Sequence, residues 1–435
     1  MMLSLKNRIL GFFILSVIIS CTTTDKTLFT KLSSDAIGIG FNNLITESDS
    51  FNILTNEYIF NGGGVAVTDF NNDGLPDLFF TGNMDSNKLY LNKGGFEFND
   101  ITDESKLNSQ DLWSTGIAIA DVNADGWMDI YVCAAMHEKN RTNRLYINQG
   151  PNANGVPTFL EQAEAYGVGD SGNSMAATFI DYDKDGDLDL YVVNNEQNES
   201  IPTNYRKKVI DGSAVSNDKL YQNNGKGLFY DVTVASGITI EGYGLSVTPV
   251  DVNKDQWVDL FITNDYLTND LLYINQKDGT FKNEIENSLL HQSKFSMGSD
   301  AADFNNDGYS DLITLDMLGE THERKKTTIA KSSFFQNVMN KKWGYQDQHM
   351  RNMLFKNNGK DLPFSEIGQY AGVYQTDWSW SPLFTDVDYD GNKDLLITNG
   401  FPRDITDMDF ANYRLNECSS TSISSLLDSI PVITI

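Results

Sequence analysis

Six times along this chain one nine-residue phrase returns between two apolar runs, and that recurrence restricts the fold more than any other feature. The copies begin at Asp69, Asp121, Asp181, Asp251, Asp303 and Asp386. Each carries oxygen side chains at positions 1, 3, 5 and 9. The sets are Asp69, Asn71, Asp73 and Asp77; Asp121, Asn123, Asp125 and Asp129; Asp181, Asp183, Asp185 and Asp189. They continue with Asp251, Asn253, Asp255 and Asp259; Asp303, Asn305, Asp307 and Asp311; and Asp386, Asp388, Asp390 and Asp394. Position 6 is Gly in every copy but the fourth, where Gln256 stands. Such oxygen sets on tight, glycine-containing loops suit a hard cation of calcium's size. A unit recurring at steps of 52, 60, 70, 52 and 83 residues implies a repeat architecture.

An EF-hand shares the first six positions, but it needs a bidentate Glu at position 12 and flanking helices. Position 12 here is Phe80, Val132, Val192, Ile262, Thr314 and Ile397, so position 9 is expected to close the coordination sphere. The flanks read as strands: Val65-Ala-Val-Thr enters the first loop and Leu78-Phe-Phe-Thr leaves it. Each loop therefore sits at the tip of a β-hairpin. A side chain in the left-handed region costs about 1 kcal/mol, so the Asp251 loop, with Gln256, is the doubtful site among six expected calcium sites.

A second hairpin follows each of the first five Asp loops. Lys88-Leu-Tyr-Leu-Asn92 and its counterparts at Arg144, Lys219, Leu272 and Met353 precede a Gly-containing turn and a Phe. Four antiparallel strands in about 50 residues is the size of a propeller blade. The expected fold is all-β, a β-propeller of four-stranded blades with calcium-binding hairpin loops. The sixth repeat lacks its second hairpin after Asn399, and residues 400–416 read as Asp-rich and irregular. Residues 28–32 read as a lone fourth strand that would close the ring on the last blade. The end at Val432 to Ile435 reads as a strand stopped inside a blade, and an open edge invites self-association. A six-bladed ring closed by Phe29 to Leu32 is the alternative.

The Asp loops with their Leu-Tyr-x-Asn hairpins resemble the FG-GAP/VCBS repeats of integrin α-subunit propellers. Asn264 to Asn275, Met350-Arg-Asn-Met353 and Thr376-Asp-Trp-Ser-Trp-Ser-Pro382 are similar to VCBS-repeat lipoproteins of Bacteroidetes that carry a later ASPIC/UnbV-type region. The resemblance spans nearly residues 28–435. It implies a seven-bladed calcium propeller outside the cytoplasm, of which this chain holds six recognisable repeats and an incomplete ring.

The formal charge of −28 would make a compact body repel itself. Acids fill 20 of the 24 ligand positions, a third of the 60 in the chain, so six divalent ions would leave about −16. That acidity argues against a nucleic-acid partner. At the N-terminus, Lys6 and Arg8 precede an apolar run from Ile9 to Ile19, an export signal over residues 1–20. Ile18-Ile19-Ser20-Cys21 resembles a bacterial lipobox, which implies lipidation of Cys21, a tether over 21–27 and an outer-membrane location on the periplasmic or cell-surface side. The propeller is expected over 28–416 and an incomplete segment over 417–435. With only Cys133 and Cys418 remaining, no disulfide framework is expected.

Two long insertions, 195–217 and 316–348, fall between second and third strands and so crown the face opposite the Asp loops. Tyr205, Arg206, Lys207, Lys208, Arg324, Lys325, Lys326 and Trp343 on them are the candidate ligand-binding residues, for a glycan or a protein. A solvated excursion is the plain alternative. His137, His291, His322 and His349 show no metalloprotease spacing, and no GxSxG elbow is present, so no catalytic residue is assigned. The expected function is a lipid-anchored, calcium-stabilised binding or adhesion module. The other class in play is a carbohydrate-active enzyme, a lyase or glycosidase, on the same scaffold.

Overall fold

The computed structural model describes residues 27–432 apart from 108, 137–139, 197–205, 329–333, 361 and 418–421. The export signal, Cys21, Tyr205, His137, Cys418 and the last three residues therefore lie outside the described residues.

Five sheets have four strands each, every one an antiparallel meander with consecutive strands as neighbours. The first contains β1 (Val65–Thr68), β2 (Asp77–Phe80), β3 (Lys88–Asn92) and β4 (Phe98–Asp100). The second runs from β5 (Ser114–Ala120) through β6 (Asp129–Ala134) and β7 (Arg144–Pro151) to β8 (Pro157–Glu161). The third holds β9 (Ser174–Ile180), β10 (Asp189–Asn194), β11 (Lys219–Asn223) and β12 (Phe229–Asp231). The fourth holds β13 (Gly244–Val250), β14 (Asp259–Asn264), β15 (Leu271–Asn275) and β16 (Phe281–Asn283). In the fifth are β17 (Ser299–Ala302), β18 (Asp311–Thr314), β19 (Met353–Lys356) and β20 (Ser365–Glu366). The sixth sheet is one hairpin, β21 (Ser379–Thr385) and β22 (Asp394–Asn399).

The alternation along each strand explains how these sheets assemble. One face of each sheet packs on the next, so every seam is a separate apolar core. Phe79, Leu89 and Leu91 meet Ile130, Val132 and Tyr146 across the first seam. Tyr131, Cys133 and Leu145 meet Leu190, Val192 and Tyr221 across the second. Tyr191 and Val193 then meet Leu260, Ile262 and Tyr273, and Phe261 and Leu272 meet Leu312, Met353 and Phe355. At the last of these seams Ile313 and Leu315 meet Phe384, Leu395 and Ile397. Fully buried aliphatic or aromatic side chains contribute roughly 1.5–3 kcal/mol each, so each seam outweighs the loops at its ends. The starts of all six first strands line one narrow cavity of about 200 Å³, including Gly64, Gly116, Met175, Ser246, Gly298 and Ser381. These are propeller-like blades, and no strand pairing joins the sixth sheet to the first among the described residues.

Both chain ends depart from the sequence reading. Residues 28–32 form no strand; they are irregular and exposed, with a short helix Ser34–Ile37 after them. Among the described residues the sixth sheet offers no third strand beside which they could pair. Residues 400–416, expected to be irregular, contribute the helix Met408–Glu417, and a further helix spans Ile423–Asp428. Of the end read as a strand only Val432 lies among the described residues, where it makes an isolated antiparallel bridge to Arg403. Phe410, Leu427 and Ile430 instead pack with Ile53, Ile59, Trp113, Trp378 and Phe401 in a sixth apolar cluster.

Candidate functional site

In five of the six acidic loops the position-1 carboxylate organises the backbone. Asp69 Oδ1 accepts the Asp73 N–H at 3.1 Å and its Oδ2 accepts the Gly74 N–H at 2.7 Å. Asp121, Asp251, Asp303 and Asp386 repeat the pair of bonds. Position 4 is left-handed throughout, at Asn72, Ala124, Lys184, Lys254, Asn306 and Tyr389. Position 6 is left-handed as well, and Gln256 adopts φ 69° where the other loops have Gly. In those five loops the backbone is thus held in place by the loop's own carboxylate.

Position 9 has a role that the sequence reading missed. Asp77, Asp129, Asp189, Asp259 and Asp311 are fully buried. One oxygen of each accepts the position-2 N–H of its own loop, as in Phe70 to Asp77 at 3.1 Å. The other oxygen accepts the N–H of the Asn in or just after the third strand, as in Asn92 to Asp77 at 2.8 Å. Position 9 therefore ties loop to sheet, in addition to any ligand role. Burial, with the neighbouring loop carboxylates adding to it, pushes these acids up to about 6 for Asp77 and Asp311, about 7 for Asp129 and Asp259 and about 8 for Asp189. The repeated Leu-Tyr-x-Asn ending was the available signal.

The loops differ in what already occupies their carboxylates. Oxygens of Asp181, Asp183 and Asp185 lie within 4.8 Å of one another, and so do those of Asp386, Asp388 and Asp394. Asp181 Oδ1 is buried with no hydrogen-bond partner. A carboxylate oxygen left so, beside two more carboxylates, is what a bound cation would satisfy, and an all-oxygen set fits calcium. In the fourth loop Lys277 Nζ lies 3.0 Å from Asp255, and in the fifth Lys356 Nζ lies 3.2 Å from Asp307. Those ammonium groups occupy the position a cation would compete for.

Sequence comparison gives the same repeat. Residues 69–132, 133–192 and 251–314 match the family described as FG-GAP-like repeat. The chain carries FG-GAP-like repeats. A T-cell immunomodulatory protein homolog of Plasmodium falciparum is 26% identical over 341 residues, 62% of this chain and 44% of that protein. Its Plasmodium yoelii yoelii counterpart is 28% identical over 36% of this chain and 22% of its own length. Cartilage acidic protein 1 of Xenopus tropicalis is 29% identical over 31% of this chain and 20% of its own. The chain thus covers less than half of each relative. A chain of the Photorhabdus luminescens Tc holotoxin pore aligns with TM-score 0.34 at 16% identity, over 77% of this chain and 13% of that one.

At the opposite end of the FG-GAP-like repeats, the insertions do leave between second and third strands, but their basic residues do not form one free patch. Arg206 is ion-paired to the buried Glu241 and donates to the Tyr243 hydroxyl at 3.2 Å. Tyr345 donates to Glu241 at 3.1 Å, and the Lys208 N–H donates to the Trp343 carbonyl at 3.1 Å. The two insertions are thereby fastened to each other, with Lys208 and Trp343 half-buried. Arg324 pairs with both Asp377 and Asp404, which holds its guanidinium protonated, and Lys325 donates to Gln375. Only Lys207 and Lys326 of the described basic candidates are exposed. Their partners lie far away in sequence, so pairing was invisible from composition. Beside Arg324 is a cavity of about 690 Å³, lined also by Asp377, Trp378, Asn399, Asp404 and Asp407. His291 and His349 lie with ring centroids 6.2 Å apart.

Proposed function

We propose that this chain is a calcium-stabilised binding module of the FG-GAP/VCBS type, built as a propeller and anchored through a lipid on Cys21 at the bacterial outer membrane. The observation that carries the metal part is the third loop, where three carboxylates converge and Asp181 Oδ1 has no partner. Calcium there would neutralise the loop charge and lock the turn. Asp181, Asp183 and Asp185 would hold it, with Asp189 keeping the loop on its sheet. Binding itself is assigned to the opposite face, where a rigid sheet scaffold presents the 690 Å³ cavity and the exposed Phe334 and Phe335. The ligand class is a glycan or protein, and the reading as a lipoprotein of the Bacteroidetes ASPIC/UnbV-associated type rests on the sequence motifs at Asn264 to Asn275, Met350 to Met353 and Thr376 to Pro382.

The test is capture on glycan and protein arrays in millimolar calcium and in EDTA. A ligand retained in calcium and released by EDTA is the expected result. Equal retention in both would remove calcium from the binding reading, and release of a cleaved saccharide would replace a binding module with an enzyme.

A further inference from the structure

The acidic loops touch one another in chain order, and they do so through the same positions. Position 4, left-handed in every loop, reaches position 6 or 7 of the loop that follows. Asn72 Nδ2 donates to Gly126 O at 3.1 Å. Lys184 Nζ sits 4.6 Å from the centre of the Trp257 ring, and Lys254 Nζ sits 4.0 Å from that of Tyr309. Asn306 Nδ2 donates to Asn392 Oδ1 at 3.3 Å. Gly308 leaves room for the incoming ammonium, since a Cβ there would lie 2.9 Å from Lys254 Nζ. One junction lacks its group. Position 4 of the second loop is Ala124, whose methyl has nothing to offer the third loop.

Each contact joins the candidate ligands of one loop to those of the next. Lys184 stands between Asp183 and Asp185, so a cation drawing those two together fixes the backbone from which Lys184 reaches. At the receiving end, the Trp257 N–H donates to Asp255 Oδ1 at 2.9 Å. The Tyr309 N–H donates to Asp307 Oδ1 at 3.0 Å, and the Asn392 N–H to Asp390 Oδ1 at 2.7 Å. Every turn that receives a contact at position 7 is thus bonded to an acid of its own loop. The two position-4 ammonium groups lie over rings, while Asp255 and Asp307 pair with Lys277 and Lys356. Lys184 and Lys254 are therefore placed to order the next loop rather than to stand in for its ion.

We propose that Lys184 and Lys254 are positioning residues that couple calcium binding along the acidic face, so that an occupied loop strengthens the loop after it. The inference rests on the calcium reading above and deepens it. Ordering the position-4 stem and the ring it covers has one cost, which the first ion meets and the second does not meet again. Such coupling is reciprocal between the two loops. For an exposed ammonium on an aromatic ring the effect on affinity is about threefold per junction. Ala124 divides the face into two series, the first and second loops and the third to sixth. The third loop, with Asp at all four ligand positions, heads the longer series. Its occupancy supports the fourth loop, where Gln256 replaces Gly.

The experiment uses the full chain carrying Trp127→Phe, in which Trp257 is the only tryptophan inside an acidic loop. Terbium(III) luminescence sensitised through tryptophan then reports the fourth loop, and its displacement by calcium gives the calcium affinity there. Asp185→Ala, which empties the third loop, should weaken calcium at the fourth about threefold. Lys184→Met should do the same, and the two together should weaken it no further. Asp125→Ala removes the same charge from the second loop and should change nothing, because Ala124 breaks the series. Unchanged affinity in Asp185→Ala, additive losses in the double variant, or an equal loss from Asp125→Ala overturns the proposal and leaves the calcium reading standing. Calorimetry that finds no calcium bound at any loop overturns both. Lys184 is exposed, so Lys184→Met should keep its parent's Tm in EDTA; if it does not, the contrast between Asp185→Ala and Asp125→Ala decides alone.

Discussion

The third and fourth acidic loops share one nine-residue frame and differ in almost everything that should govern a cation. In the third, all four ligand positions are Asp, position 6 is Gly186, and Asp181 Oδ1 has no partner. In the fourth, Asn253 replaces one acid, Gln256 holds a left-handed φ of 69°, and Lys277 lies 3.0 Å from Asp255. Asp251 accepts the N–H groups of Asp255 and Gln256, as position 1 does in four other loops, so the third loop is the one that stands apart there. One motif can thus yield a loop that leaves a buried carboxylate oxygen without a partner and a loop that pairs its carboxylate with a lysine.

The largest test of that contrast is calcium removal. For sites of extracellular strength, Kd on the order of 10⁻⁴ M, millimolar calcium contributes about 1.4 kcal/mol per site. Five such sites would supply about 7 kcal/mol, comparable with the whole stability of a domain. Tm in excess EDTA should fall by more than about ten degrees, and an unchanged melting curve would leave both loops without a metal role. Next in size, Asp185→Ala should cost about 1–2 kcal/mol more in saturating calcium than Asp255→Ala. Equal losses would erase the difference between the two loops.

Much of this was legible in the sequence, for a physical reason. Hairpin tips, Gly turns and strand alternation are local, so β1 to β4 and their repeats could be read within a few residues. The acidic face followed from where those tips must lie. Position 9 was half-read, because its second partner is the Asn in or just after a strand that begins after an insertion of varying length, 15 residues on at Asp77 but 46 at Asp311. Arg324 read as a free cation because Asp377 and Asp404 lie 53 and 80 residues away. The helix Met408–Glu417 was read as irregular, since its place depends on Phe410 joining a cluster with Ile53 and Trp378 from distant parts of the chain.

A smaller effect separates the loops from the opposite end of the sheets. Asp218, Asp265 and Asp270 are fully buried there, and burial pushes each up to about 7 despite the hydrogen bonds they accept. An acid whose folded-state pKa exceeds its unfolded value of about 4 keeps its proton in the folded chain after the unfolded chain has lost it. Stability should therefore fall as pH rises from about 4 to about 7, then level off. Asp218→Asn should shallow that fall by a few degrees of Tm, about 3 °C, in calcium and in EDTA alike. A slope that vanished in calcium would move its origin to the acidic loops.

The smallest effect bears most directly on why the fourth loop differs. Burial alone would raise the Asp255 carboxyl, but the Trp257 N–H and the Lys277 ammonium hold it below the usual range. A cation entering this loop must displace that ammonium. The pair is half-exposed, with side-chain exposures of 46% and 22%, so its worth is that of a surface salt bridge, about 0.2–1 kcal/mol. Lys277→Met removes the competitor while keeping the apolar stem, and should tighten calcium at this loop about threefold, read by calorimetry in an Asp185→Ala background. Gln256→Gly should add a further gain near 1 kcal/mol by relieving the left-handed backbone. If Gln256→Gly tightens calcium and Lys277→Met does not, backbone strain alone sets the contrast between the loops. If neither does, the contrast reduces to the missing acid at Asn253, and Asn253→Asp becomes the substitution that must restore it.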